Sequence, residues 1–188
     1  MGRPKLLLPW GDTTVIAHLI HKWTRIGATQ IAAVCSLNAN PLEAELDRLS
    51  FPTAQRIFNA TPEQGMFSSI QCAAQWTGWQ PELTHFAITL GDQPQVREAT
   101  LRELVSFGAT HAAQICQPMR NGRRKHPVLM PRDAFQALAK TSAVNFKEFL
   151  AARPGELVGF ASDDTGLDTD LDTLEDYERV WQLHFGRA

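Results

Sequence analysis

His85-Phe86-Ala87-Ile88-Thr89-Leu90 runs directly into Gly91-Asp92-Gln93-Pro94, and the reading of this stretch decides the fold class. Apart from His85, the first six residues are apolar or β-branched, which predicts a buried strand over 85–90. Gly91 permits a tight bend, and Pro94 fixes the exit while removing a backbone donor. In a sheet covered by helices, ligands gather at the carboxyl ends of the strands. Asp92 stands at such an end. It suits a hard cation such as magnesium, which prefers oxygen ligands. An Asx-turn closing the strand accounts for Asp92 equally well.

Outward from this strand, short apolar runs alternate with amphipathic stretches. Thr13–Arg25 places Val15, Ile16, Leu19, Ile20 and Trp23 on one helical face, and Gly27 stops it. Residues 30–34 read as a strand and 36–41 as a turn. Leu42, Leu46 and Leu49 mark a helix, 53–58 a strand and 68–76 a helix. Leu101, Leu104 and Val105 face inward from a helix over 99–107, followed by a strand at 111–116. Extended pieces at 128–130 and 157–160 alternate with helices at 134–139, 146–152 and 174–183. Strands alternating with helices predict an α/β sandwich on a mainly parallel sheet.

The chain has 188 residues and a net charge of −2, which suits one domain, residues 1–188, and gives no global basic field for nucleic acid or anionic lipid. No apolar run approaches the ~20 residues needed to span a bilayer. Cys35, Cys72 and Cys116 are far apart and fall in predicted strands or helices, as buried thiols of a reducing compartment do. The expected location is cytoplasmic.

Three further segments carry chemistry. In Asp168-Thr169-Asp170-Leu171-Asp172-Thr173-Leu174-Glu175-Asp176, an N-cap at Asp172 or Thr173 explains the acids of the first turn. It leaves Asp168 and Asp170 needing a cation or solvent to offset their repulsion, and Asp170, then Asp172, is the preferred second metal ligand. Gln64-Gly65-Met66-Phe67-Ser68-Ser69 precedes a helix whose amides and hydroxyls could hold an anion or a nucleoside, with an ordinary serine N-cap as the plainer alternative. Arg120, Arg123, Arg124 and Lys125 flank the turn signal Asn121-Gly122; for Arg120 and Arg123 a solvated loop is the preferred explanation. His126-Pro127 before an apolar run could receive a phosphorylated substrate.

The order of these motifs resembles the molybdenum cofactor cytidylyltransferase, or MobA-like NTP transferase, family across essentially the whole chain. They are Met1-Gly2-Arg3-Pro4-Lys5-Leu6-Leu7-Leu8-Pro9-Trp10, Gly65-Met66-Phe67-Ser68-Ser69-Ile70, Gly91-Asp92-Gln93-Pro94, His126-Pro127-Val128-Leu129 and Asp170-Leu171-Asp172-Thr173-Leu174-Glu175-Asp176. The resemblance implies a three-layer, Rossmann-like fold of the nucleotide-diphospho-sugar transferase type. It implies Lys5 and Asp92 as catalytic residues, and Lys5, Gln64, Gly65, Met66 and Ser69 around a nucleoside triphosphate, CTP or GTP. Asp92 and Asp170 would hold Mg2+ with support from Asp172, and His126 would face a phosphorylated small-molecule acceptor such as molybdopterin. The implied reaction is attack of an acceptor phosphate on the α-phosphorus, with pyrophosphate leaving. The expected alternative is a non-catalytic nucleotide-binding or partner-binding module of the same fold. The absence of G-x-G-x-x-G ranks a dinucleotide oxidoreductase low.

Two departures from the family pattern shape the expectations. A pattern like L-A-A-G-x-S-x-R with its strand would precede Met1, so the chain is expected to be N-terminally incomplete, with residues 30–34 or 85–90 left one-sided and a homodimer as one way to cover them. Where relatives carry a G-D-x-G-A-R-like loop, this chain reads Thr141-Ser142-Ala143-Val144-Asn145-Phe146-Lys147, which leaves the acceptor open.

Overall fold

The computed structural model describes residues 4–37 and 40–186. Met1, Gly2 and Arg3 of the opening motif, and residues 38 and 39 of the expected turn, lie outside the described residues. In chain order the strands are β1 (Pro9–Trp10), β2 (Thr13–Thr14), β3 (Ala33–Ser36), β4 (Arg56–Asn59), β5 (His85–Ile88), β6 (Ile115–Arg120), β7 (Arg123–Arg124), β8 (Val128–Pro131) and β9 (Leu157–Ala161). The helices are α1 (Val15–Arg25), α2 (Asn40–Arg48), α3 (Met66–Gln75), α4 (Glu98–Thr110), α5 (Arg132–Ala137), α6 (Phe146–Ala151) and α7 (Leu174–Phe185).

Side-chain alternation along β8 establishes the layers. Val128 and Met130 pack with Phe67 of α3, Phe135 of α5 and Phe149 of α6, whereas Leu129 between them packs with Leu104 of α4. Successive strand residues point to opposite faces, so the sheet is covered by helices on both sides. A second apolar group joins Leu8, Trp10, Val15 and Leu19 to Leu171 and Val180, tying the beginning of the described chain to α7.

The sheet is mixed. β8 runs antiparallel to both β5 and β6, while β6 pairs parallel with β9 and β3 parallel with β4. Because β5 and β6 both oppose β8, they run in the same direction as each other and as β9. The carboxyl ends of β5, β6 and β9 and the amino end of β8 therefore share one edge. Among the described residues β3 pairs with β4 alone and β5 with β8 alone, so each presents one unpaired side.

Several local expectations are corrected. The strand expected at 111–116 begins at Ile115 and extends to Arg120, through Pro118. His111 instead caps α4, and its carbonyl accepts from the N–H of Gln114 in a turn. Along the stretch expected to be a buried strand, Phe86 is buried but Ala87 and Thr89 are exposed, because α4 lies over β6 and β8 and leaves that face of β5 bare. Val105 is exposed, and the buried stripe of α4 is Thr100, Leu101, Leu104 and Gly108. Helix α3 starts at Met66, with Gly65 as an N-cap that supplies no side-chain bond, so Ser68 is not the cap. Cys35 and Cys116 are buried and Cys72 half-buried; all three are free thiols.

Candidate active site

Asp92 follows β5 on the shared edge. Its side chain is 28% exposed, and its Oδ2 lies 3.9 Å from Lys5 Nζ. Its Oδ1 is buried and accepts no hydrogen bond. Burial pushes the carboxyl above its ordinary value, and the charge of Asp170 adds to the effect. An unsatisfied carboxylate oxygen beside a second carboxylate is an environment that a cation relieves.

The segment after β9 brings the partners. Leu171 N–H donates to the carbonyl of Asp92 at 3.0 Å, and Gln93 Nε2 donates to Asp170 Oδ1 at 2.6 Å. Lys5 Nζ binds Asp172 Oδ1 at 2.7 Å. The N-cap left open between Asp172 and Thr173 is Thr173, whose hydroxyl and backbone N–H form a capping box with Asp176, so Asp172 is not spent on capping. Lys5, Asp92, Asp170 and Asp172 are thus gathered from three separate parts of the sequence.

Among the described residues, no group of three or more His, Cys, Asp or Glu side chains is arranged to hold a metal by itself. Asp172 is exposed and bonded to Lys5, whereas Asp92 is near enough to Asp170 to feel its charge. That donor set fits magnesium or manganese, which a nucleotidyl site holds through one or two carboxylates plus substrate phosphates and water.

His126 begins the approach to β8 on the same edge. Burial holds its imidazole below the ordinary histidine value, opposed by the carbonyl of Ile88 and by Asp170. Its Nδ1 is buried without a partner. The Gln64–Ser69 segment lies at the carboxyl end of β4, and no hydrogen bond or ion pair among the described residues joins it to the acidic pair. It is linked to His126 through aromatic rings. Phe67 stacks on Phe146 with centroids 6.4 Å apart, and Phe146 lies 5.9 Å from the ring of His126. Gly65 has φ +85°, and an added Cβ would meet no protein atom within 4 Å, so this backbone faces open space.

Several supporting residues escaped the sequence reading. Asn59, 1% exposed, donates to the hydroxyls of Ser68 and Ser69 at 2.8 and 3.0 Å and fixes the start of α3. Lys22, 3% exposed, donates to the carbonyls of Pro94 and Val96, at 2.5 and 2.6 Å. Burial lowers its amine to about 8, against the opposing charge of Asp164. Gln95 donates to the carbonyls of Gly166 and Thr169. Asp164, also buried, accepts from the N–H groups of Arg97 and Gly166 and from the Thr100 hydroxyl. Lys22 did leave a signal, since its spacing from Val15 and Leu19 puts a lysine on the buried stripe of α1.

Residues 1–156 match the family model described as the MobA-like NTP transferase domain. The chain belongs to this family. No curated protein matches it. Among solved structures it is similar to Rv0371c of Mycobacterium tuberculosis H37Rv, with 25% identity over 97% of this chain and 90% of that one, at a TM-score of 0.72. Rv0371c in complex with manganese gives 24% identity, 96% and 93% coverage and a TM-score of 0.67. A nucleotidyl transferase from Methanothermobacter, Mth528, shares the fold at a TM-score of 0.77 and 20% identity, over 98% of this chain and 86% of that one. Family membership makes the chain a nucleotidyltransferase-family protein with a mixed α/β fold. No helix among the described residues is long and apolar enough to cross a membrane.

Proposed function

We propose that this protein transfers a nucleoside monophosphate, CMP by preference, from a nucleoside triphosphate to a phosphorylated small-molecule acceptor such as molybdopterin, releasing pyrophosphate. The observation that carries the reading is the convergence of Lys5 with Asp92 and Asp170 around a buried, unpartnered carboxylate oxygen. An oxygen of the acceptor phosphate forms a bond to the α-phosphorus as the bond from that phosphorus to the pyrophosphate oxygen breaks, and pyrophosphate leaves with the electron pair. The attacking oxygen is already ionised, so no protein base is needed, and the protein contributes positioning and charge neutralisation. Lys5 offsets charge on the phosphates, its Asp172 contact keeping the ammonium in place. Asp92 and Asp170 would hold Mg2+ or Mn2+; when bound, such an ion neutralises phosphate charge as a Lewis acid. That Rv0371c forms a complex with manganese supports a divalent ion as the cofactor. Gln64, Gly65, Met66 and Ser69 surround the base and ribose, and His126 faces the acceptor.

Exchange of radiolabelled pyrophosphate into CTP, GTP, ATP and UTP tests this reading. Metal-dependent exchange, fastest with CTP, is expected. Nucleotide binding without exchange into any of the four would favour a non-catalytic nucleotide-binding module.

A further inference from the structure

Although the chain carries a net charge of −2, four cations fall within residues 120–125. Asn121 with φ 51° and Gly122 with φ 72° form the two-residue turn that joins β6 to β7. The register sets Arg120 directly opposite Arg123, a like-charge pair that costs a hairpin stability. One carboxylate holds this group together. Asp168 accepts from Arg120 Nε at 2.6 Å and Asn121 Nδ2 at 3.3 Å, and pairs with Lys125 Nζ at 2.8 Å. The side chains of Arg120 and Lys125 are 20% and 22% exposed. Among the described residues the two terminal amino groups of Arg120 make no hydrogen bond.

The sheet places this hairpin on the same edge as the acidic pair. It joins the carboxyl end of β6 to the amino end of β8, on the edge where Asp92 follows β5 and Asp170 follows β9. Lys125 immediately precedes His126, and Asp168 lies two residues before Asp170. The free guanidinium fork of Arg120 suits bidentate pairing with phosphate oxygens, and Lys125 adds a point charge.

We infer that Arg120 and Lys125, both held by Asp168, form the subsite that receives the phosphomonoester dianion of the acceptor. The inference rests on the nucleotidyltransferase reading and assigns its acceptor side. A phosphate dianion carries about −1.5 to −2 charges and must approach a triphosphate that is itself negative. Two cations poised on a single carboxylate leave a net positive charge that offsets this repulsion. The hairpin itself forms and breaks no bond.

The test is calorimetric titration of the full chain with inorganic phosphate alone and, separately, with Mn2+ and CTP. Arg120→Gln with Lys125→Gln is expected to weaken phosphate binding by about tenfold or more, the effect of losing charge-assisted hydrogen bonds, and to leave Mn2+–CTP binding within about twofold. Asp168→Asn keeps both cations and removes the carboxylate that competes for them, so it is expected to tighten phosphate binding severalfold. No phosphate binding by the unaltered protein, unchanged binding by the double variant, or weaker binding by Asp168→Asn overturns the subsite. Loss of phosphate and Mn2+–CTP together, with an unchanged circular dichroism spectrum, also overturns it, because the hairpin would then belong to the triphosphate site. Phosphate binding through the hairpin by a protein that binds no nucleotide would leave the subsite standing and overturn the proposed function instead.

Discussion

The N–H of Leu171 donates to the carbonyl of Asp92 at 3.0 Å, joining the loop after β5 to the segment after β9. This bond, with the Gln93 contact to Asp170, holds two carboxylates beside each other at the edge of the sheet. Neither loop is independent of its supports. The residues after Asp92 are held from α1 by Lys22, and those before Asp170 by Gln95.

Lys22 is therefore expected to matter for stability as well as for the site. Lys22→Met would leave the buried carbonyls of Pro94 and Val96 without their donor, an expected loss of about 2–4 kcal/mol. Urea denaturation measures it. A change below ~0.5 kcal/mol would show that the loop is held without Lys22.

The start of α3 makes a separable prediction. Asn59→Ala removes donors to Ser68 and Ser69, and Gly65→Val forces a branched residue into φ +85° while placing carbon in the open space beside that backbone. Each is expected to cost about 1–3 kcal/mol of stability. Nucleotide affinity is expected to fall in both, with Gly65→Val abolishing detectable binding while circular dichroism still reports the fold. Full nucleotide affinity in Gly65→Val would remove residues 64–69 from the site.

Acid is expected to loosen the packing of α1 against α7. Burial, assisted by the charges of Lys22, His184 and Arg25, lowers His18 from 6.5 to about 4. Between those values the unfolded chain takes up a proton that the folded chain refuses, so stability falls as pH drops from about 6.5 toward 4. His184 is shifted in the same direction, again first by burial. His18 is only half-buried, so the loss is expected to stay below about 3 kcal/mol. Thermal melts of His18→Leu should lose less between pH 7 and pH 4.5 than those of the unaltered protein. Parallel losses would contradict the assignment.

The order of motifs singled out Lys5, Asp92 and Asp170 as candidates, and the fold brings the segments that carry them together. An N-cap at Asp172 or Thr173, settled by the structure as Thr173, and the Asn121-Gly122 turn were also legible, being local chemistry of adjacent residues. Strand β6 was misplaced because Pro118 argues against a strand interior, yet here its ring is buried and only its carbonyl is used, by Lys125 N–H. The antiparallel course of β8 and the supporting contacts of Gln93, Gln95 and Asp164 depend on residues distant in sequence. No periodicity encodes such pairings.

The account turns on Asp92 and Asp170 acting as one cation site, and titration of Mn2+ in the presence of CTP tests that most directly. Asp92→Asn and Asp170→Asn are each expected to weaken metal binding severely, with about 2–4 kcal/mol of transition-state stabilisation lost in pyrophosphate exchange. The double variant is expected to be little worse than either single one, because the two ligands act as a unit. If Asp92→Asn binds Mn2+ and CTP as tightly as the unaltered protein, the metal assignment is wrong.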